Sequence, residues 1–244
     1  EKNQQSGVAM CPSGTRATGG GVNPLNPVAT GTDYNRYRVS FSAPVDETGT
    51  VAGTDSGDIP RGWTATVASL GGETSFRIYA VCSATSDATV VAFTSSVGGT
   101  TTLPGMASCP SGSRAIGGGV GTSVAIPAST NPTFPFANVN VPVDAGGTVT
   151  GTQTGDIPQS WRAAVSFQST APSPVGGTVK FFAVCSVSSD ATIQATPFTV
   201  TVAGKTDPVN GAVASCPSGQ RALSGGVAFD GDPVGTSIRI QRNG

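Results

Sequence analysis

Five cysteines and a few clustered carboxylates are the side chains of this chain best suited to chemistry, and histidine is absent. Without imidazole there is no Ser-His-Asp triad, no histidine base near neutral pH and no histidine ligand for zinc. The cysteines stand at Cys11, Cys82, Cys109, Cys185 and Cys216. None belongs to a C-x-x-C pair of the kind that opens a zinc site. Thiols spread this way point to disulfides, and disulfides to an oxidising compartment. The favoured pairing closes each repeat internally, Cys11 with Cys82 and Cys109 with Cys185. The rival pairing, Cys82 with Cys109 and Cys185 with Cys216, staples neighbouring repeats and leaves Cys11 alone. In the favoured pairing Cys216 is left over, a candidate intermolecular link.

The carboxylates Asp46, Glu47, Asp55 and Asp58 crowd one Gly-rich stretch, where calcium is conceivable. Calcium wants six to eight oxygens. The second copy keeps only Asp144 and Asp156, so turn-capping aspartates are the expectation. The same carboxylates would have to flank a cleft to cleave a glycoside, and the GDIP sequence around Asp58 reads as a turn. Gly19-Gly20-Gly21 and Gly117-Gly118-Gly119 lack the Lys-Ser/Thr and the following helix of a phosphate loop. Close backbone packing is expected of them instead. Arg16, Arg114 and Arg221 recur at one position and are expected to pair with a carboxylate such as Asp58 or Asp156. Trp63 and Trp161 are expected as core anchors; exposed, they would be sugar-stacking platforms. Tyr34 and Tyr37 have no counterparts in the second copy. No catalytic residue, metal site or cofactor is expected.

These residues sit in a repeat. Cys11-Pro12-Ser13-Gly14 returns as Cys109-Pro110-Ser111-Gly112 and as Cys216-Pro217-Ser218-Gly219, at spacings of 98 and 107 residues. Each is followed by an arginine and a glycine run. Gly57-Asp58-Ile59-Pro60 with Trp63 returns as Gly155-Asp156-Ile157-Pro158 with Trp161. Ala80-Val81-Cys82-Ser83 returns as Ala183-Val184-Cys185-Ser186, and Ser86-Asp87-Ala88-Thr89 as Ser189-Asp190-Ala191-Thr192. Spacings this long mark duplicated domains rather than solenoid turns. The expected units are 1–98, 99–204 and an incomplete 205–244, which carries the CPSG motif and one strand-like run, Ser237-Ile238-Arg239-Ile240.

The elements that position these residues read as all-β. Runs such as 64–68, 75–81 and 178–184 are short, rich in β-branched and aromatic residues, and bounded by Gly, Pro, Asp and Asn. The expectation is tandem β-sandwich-like domains of about 100 residues, each with one internal disulfide. Half a sandwich in the third unit would expose strand edges, a template for a strand from elsewhere.

Composition narrows the partners. The chain has 244 residues, of which 11% are charged, with 13 basic against 14 acidic. That balance lacks the basic surplus of a nucleic-acid binder or a polybasic membrane-surface protein. No run approaches the ~18 apolar residues of a spanning helix. The start, Glu1-Lys2-Asn3-Gln4-Gln5, is polar, so any export signal is expected to have been removed or to lie outside this sequence.

The pattern CPxGxxxxGGG, then Trp, then (Y/F)-A-V-C-S, resembles a motif of exported, mostly uncharacterised proteins of Gram-positive and related environmental bacteria. The resemblance implies an exported bacterial β-domain with one internal disulfide. With the duplication, the incomplete third unit, Cys216 and the low charge, the expected function is structural and non-enzymatic. It is a secreted subunit of a filament, appendage or surface coat, assembling with copies of itself through β-strand contacts. The alternatives are a glycan-binding or adhesive module, and a phage tail or virion decoration protein.

Overall fold

The computed structural model describes residues 3–25, 37–69, 75–98, 102–122, 135–167, 175–198 and 212–228. The expected strand at Ser237–Ile240 and the residue Tyr34 lie outside them. Among the described residues every regular element is a strand. In chain order they are β1 (Asn3–Met10), β2 (Arg16–Pro24), β3 (Tyr37–Val45), β4 (Gly62–Ser69), β5 (Phe76–Ser83) and β6 (Thr89–Gly98). They continue as β7 (Thr102–Ser108), β8 (Arg114–Thr122), β9 (Pro135–Val143), β10 (Ser160–Phe167) and β11 (Val175–Ser186). The all-β, disulfide-bearing repeat expected from the sequence is what forms.

The first two CPSG motifs are turns that feed the second strand of their repeats, β2 and β8, and the third forms the same turn. Gly14, Gly112 and Gly219 all take positive φ, 81°, 84° and 83°, where a Cβ is disfavoured. One backbone bond closes each turn: Thr15 N to Pro12 O, Ser113 N to Pro110 O, and Gln220 N to Pro217 O. The third copy therefore starts as the other two do.

Within the first repeat, β1, β4 and β3 form one antiparallel sheet and β2 and β5 another. Val22, Val39, Ala65 and Val67, with Phe76 and Ile78 against them, make the core between the two. The second repeat copies this with β7, β10 and β9 on one side and β8 and β11 on the other. Its core uses the matching residues Val120, Ala137, Ala163, Val165, Val179 and Phe181, and adds Val97 of β6 and Phe41 of β3.

That addition comes from a strand exchange. β6 is the last strand of the first repeat in sequence, yet it pairs antiparallel with β11 of the second, with Val90 opposite Val184 and Ala92 opposite Phe182. A single pair, Ser42 opposite Val120, joins β3 to β8. The result is one six-stranded sheet, β1-β4-β3-β8-β11-β6, that runs across both repeats. β5 alternates between half-buried and exposed, as a strand wet on one face should. β11 is buried on both faces from Phe181 to Ser186, and its sequence is accordingly a continuous apolar run.

The glycine runs allow these strands to touch. A Cβ on Gly20 would lie 2.3 Å from Trp63 Cγ, and one on Gly118 the same distance from Trp161 Cγ and from the Phe182 carbonyl oxygen. A Cβ on Gly119 would lie 2.0 Å from the Ser42 carbonyl oxygen, inside the joint between repeats. Backbone cannot give way as a flexible side chain can. Gly118→Ala should therefore lower the unfolding free energy by about 3 kcal/mol, the upper end of overpacking costs, measured by denaturant unfolding. A change below about 0.5 kcal/mol, the size of an ordinary surface substitution, would mean the contact is not as tight as described.

Candidate functional site: the joint between repeats

Both intra-repeat disulfides form, Cys11–Cys82 and Cys109–Cys185, with Cα atoms 5.7 and 5.6 Å apart. Each ties the end of the first strand to the fifth strand of its own repeat. In the chain-entropy picture, closing loops of 71 and 76 residues is worth about 4 kcal/mol apiece. Cys216 is an exposed free thiol. The two tryptophans are core anchors. Trp63 is 1% exposed and Trp161 2%, so neither offers a face to a sugar. Their indole N–H groups donate to Ser42 Oγ at 2.9 Å and to Asn140 Oδ1 at 2.7 Å, which are corresponding positions on β3 and β9.

The carboxylates are taken up by turns. Asp58 Oδ2 accepts the Asp55 N–H and Asp156 Oδ2 the Gln153 N–H. Asp46 Oδ1 accepts from Thr48 N, and Asp144 Oδ1 from Gly146 N. Among the described residues no three acidic or cysteine side chains converge as metal ligands. Asp55 instead meets Lys180 of β11 at 2.8 Å. The Lys180 ammonium also donates to the Ala52 and Thr54 carbonyls, so it bridges the two repeats. Asp55 is mostly solvated, and such a pair adds little stability on its own.

The arginines differ from expectation. Arg16 Nη1 donates to the carbonyls of Asp87 and Ala88 at 3.0 and 2.8 Å, and Arg114 Nη1 to the Ala191 carbonyl at 2.7 Å. No carboxylate is involved. Backbone carbonyls win because Ser86–Ala88 and its copy run directly past the guanidinium of their own repeat. Arg221 is exposed.

Asp87 is where the joint is gripped. Its backbone is held by Arg16 of the first repeat, while its carboxylate crosses to the second. It accepts from Ser186 Oγ, from the N–H groups of Val187 and Ser188 at 3.0 Å each, and from Ser188 Oγ at 2.9 Å. The next residues keep to their own repeat: Val90 exchanges backbone bonds with Gly57 and Asp58, and Ala92 with Ser56 Oγ. By strand alternation the residues between them, Thr89, Val91 and Phe93, turn their backbone groups to β11. One segment is thus stitched on its two edges to two different repeats. Sequence reading missed both Asp87 and the exchange; the recurring Ser-Asp-Ala-Thr stretch was the available signal.

Compared with protein-family models, curated proteins and solved structures, the chain matches none.

The hydrogen bond from Ser186, joined by those from Ser188 and Val187 and opposed by slight desolvation, holds the Asp87 carboxyl down at about 2. The folded value lies below the unfolded one of 3.8. Its contribution is therefore complete above about pH 4 and is lost as the pH falls through about 2. Asp87→Asn should lower the melting temperature at pH 7 and flatten its fall between pH 4 and 2. Parallel pH–melting curves for the two proteins would contradict the clamp.

Proposed function

We propose that the protein is a non-enzymatic, extracellular structural protein, a building block of an appendage or surface coat. Its repeats join through β-strand contacts, and its partners are further copies of the same repeat. The observation that carries this reading is that a repeat is not self-sufficient: the second needs β6 of the first to complete its sheet and core. A protein whose units are finished by their neighbours is built to be joined.

Two further points support it. The side chains with chemical capacity are engaged in holding the fold: four cysteines in disulfides, Asp58 and Asp156 in turns, both tryptophans in cores. The disulfides also fit an oxidising, non-cytoplasmic environment. No helix among the described residues is long and apolar enough to cross a membrane.

The test is the state of the protein recovered from outside the producing cells. Electron microscopy should show regular particles or fibres. Non-reducing peptide mapping should find Cys216 joined to the fifth-strand cysteine of a further repeat. Isolated single chains in that fraction, each with Cys216 as a free thiol, would overturn the proposal.

A further inference from the structure

Among the described residues the first repeat has the acceptor strand without the donor. β5 corresponds to β11, and both carry a disulfide cysteine at matching places. β11 is flanked by β8 and β6, but among the described residues β5 pairs with β2 alone. The side chains register the difference. Phe182 and Val184 are 0% exposed; their counterparts Tyr79 and Val81 are 42% and 41% exposed. Phe182 is covered by Ala43, Val51, Val90 and Ala92, all from the neighbouring repeat. Among the described residues no equivalent cluster covers Tyr79.

The three glycine runs show where that cover would come from. A Cβ on Gly117 would lie 2.3 Å from the Thr18 carbonyl oxygen, so the second repeat abuts the first. A Cβ on Gly19 would lie 2.3 Å from the Leu223 carbonyl oxygen, and Leu223 corresponds to Thr18. The first repeat therefore abuts the third as the second abuts the first. The third also follows the second: Val227 bridges Asn140 just as Val120 bridges Ser42. A unit that both follows the second and precedes the first closes a cycle. Leu223 accordingly packs in one cluster with Trp63, Ile116 and Val184 of the other two repeats.

We propose that the repeats form a closed three-membered ring, and that the open edge of β5 receives the last strand of the third repeat. This rests on the reading of strand contacts as the means of assembly and goes further, naming the acceptor and the number of units. The incoming strand takes the register of β6 on β11, with its apolar residues at the places of Val90 and Ala92 opposite Val81 and Tyr79. An aspartate at the place of Asp87 would reach Ser83, Ala84 and Thr85, the counterparts of the residues that Asp87 grips. Gly225 agrees. Its counterparts Gly20 and Gly118 lie under tryptophans, whereas no described residue comes within 4 Å of a Cβ there. A full third repeat would set its own tryptophan over Gly225 as it set its last strand on β5. An open chain of copies fits less well, because residues 212–228 already occupy the place that the β2 of another copy would need.

The experiment adds a synthetic peptide of the sequence 86–98 to the purified 244-residue chain and follows amide hydrogen exchange. One peptide should bind per chain and slow exchange at Ile78, Ala80 and Cys82 by about tenfold or more. Peptide with Asn in place of its Asp should bind more weakly. Val81→Asp, at an exposed site where folding is checked by circular dichroism, should abolish binding, and Tyr79→Lys provides a second edge variant. A peptide that leaves β5 exchange unchanged overturns the proposal. So does growth of the chain alone into fibres whose length rises with concentration, since β5 would then be taken by a second copy; that result would leave the structural function standing.

Discussion

Residues 89–98 end the first repeat in sequence and add a strand to the sheet of the second. The rest of the structure depends on that crossing. Val97 fills the second core, Val90 and Ala92 cover Phe182, and the six-stranded sheet exists only because β6 lies along β11. The crossing is fixed at its start by two opposed grips on one residue pair. Arg16 holds the carbonyls of Asp87 and Ala88 to the first repeat, while the Asp87 carboxylate holds the second. A strand that completes a foreign core exchanges its edge hydrogen bonds with water for bonds to protein and, through Val90 and Val97, adds apolar burial, so the repeats are coupled rather than merely adjacent.

The glycines make the coupling sterically possible. In the run Gly117-Gly118-Gly119, each residue faces a different neighbour: the first repeat's Thr18, the same repeat's Trp161, and the first repeat's Ser42. A side chain at any of the three would push apart two backbones or a backbone and an indole. The run therefore serves packing on three sides, and the same logic carries to Gly19 against Leu223 of the third segment and to Gly226 of that segment against Asn140 of the second repeat. Strand exchange and ring closure are two consequences of one arrangement about the glycine-run strands.

Much of this was legible in the residues. The repeat, the β character and the disulfide frame follow from motif spacing and periodicity, because each is a local or near-local signal. Burial of Trp63 and Trp161 followed from their identical placement beside GDIP. The partners of the arginines were not legible, since a carbonyl and a carboxylate are equally plausible until the chain's path is known. Nor was the donor role of β6. Its composition suits any strand, and the sequence boundary near 98 says where a repeat ends along the chain, not which sheet its last strand joins. Only the difference between Tyr79 of β5 and Phe182 at the corresponding place of β11 carried a trace of it.

The central claim is that two copies of one strand differ because β11 has received a neighbour's strand and β5, among the described residues, pairs with β2 alone. The most direct measurement is residue-resolved amide hydrogen exchange of the folded chain alone. Phe181 and Ala183 of β11 face β6, and their counterparts Ile78 and Ala80 of β5 face an open edge. The account predicts strong protection at Phe181 and Ala183 and near-solvent exchange at Ile78 and Ala80. Equal protection at the two pairs would contradict it.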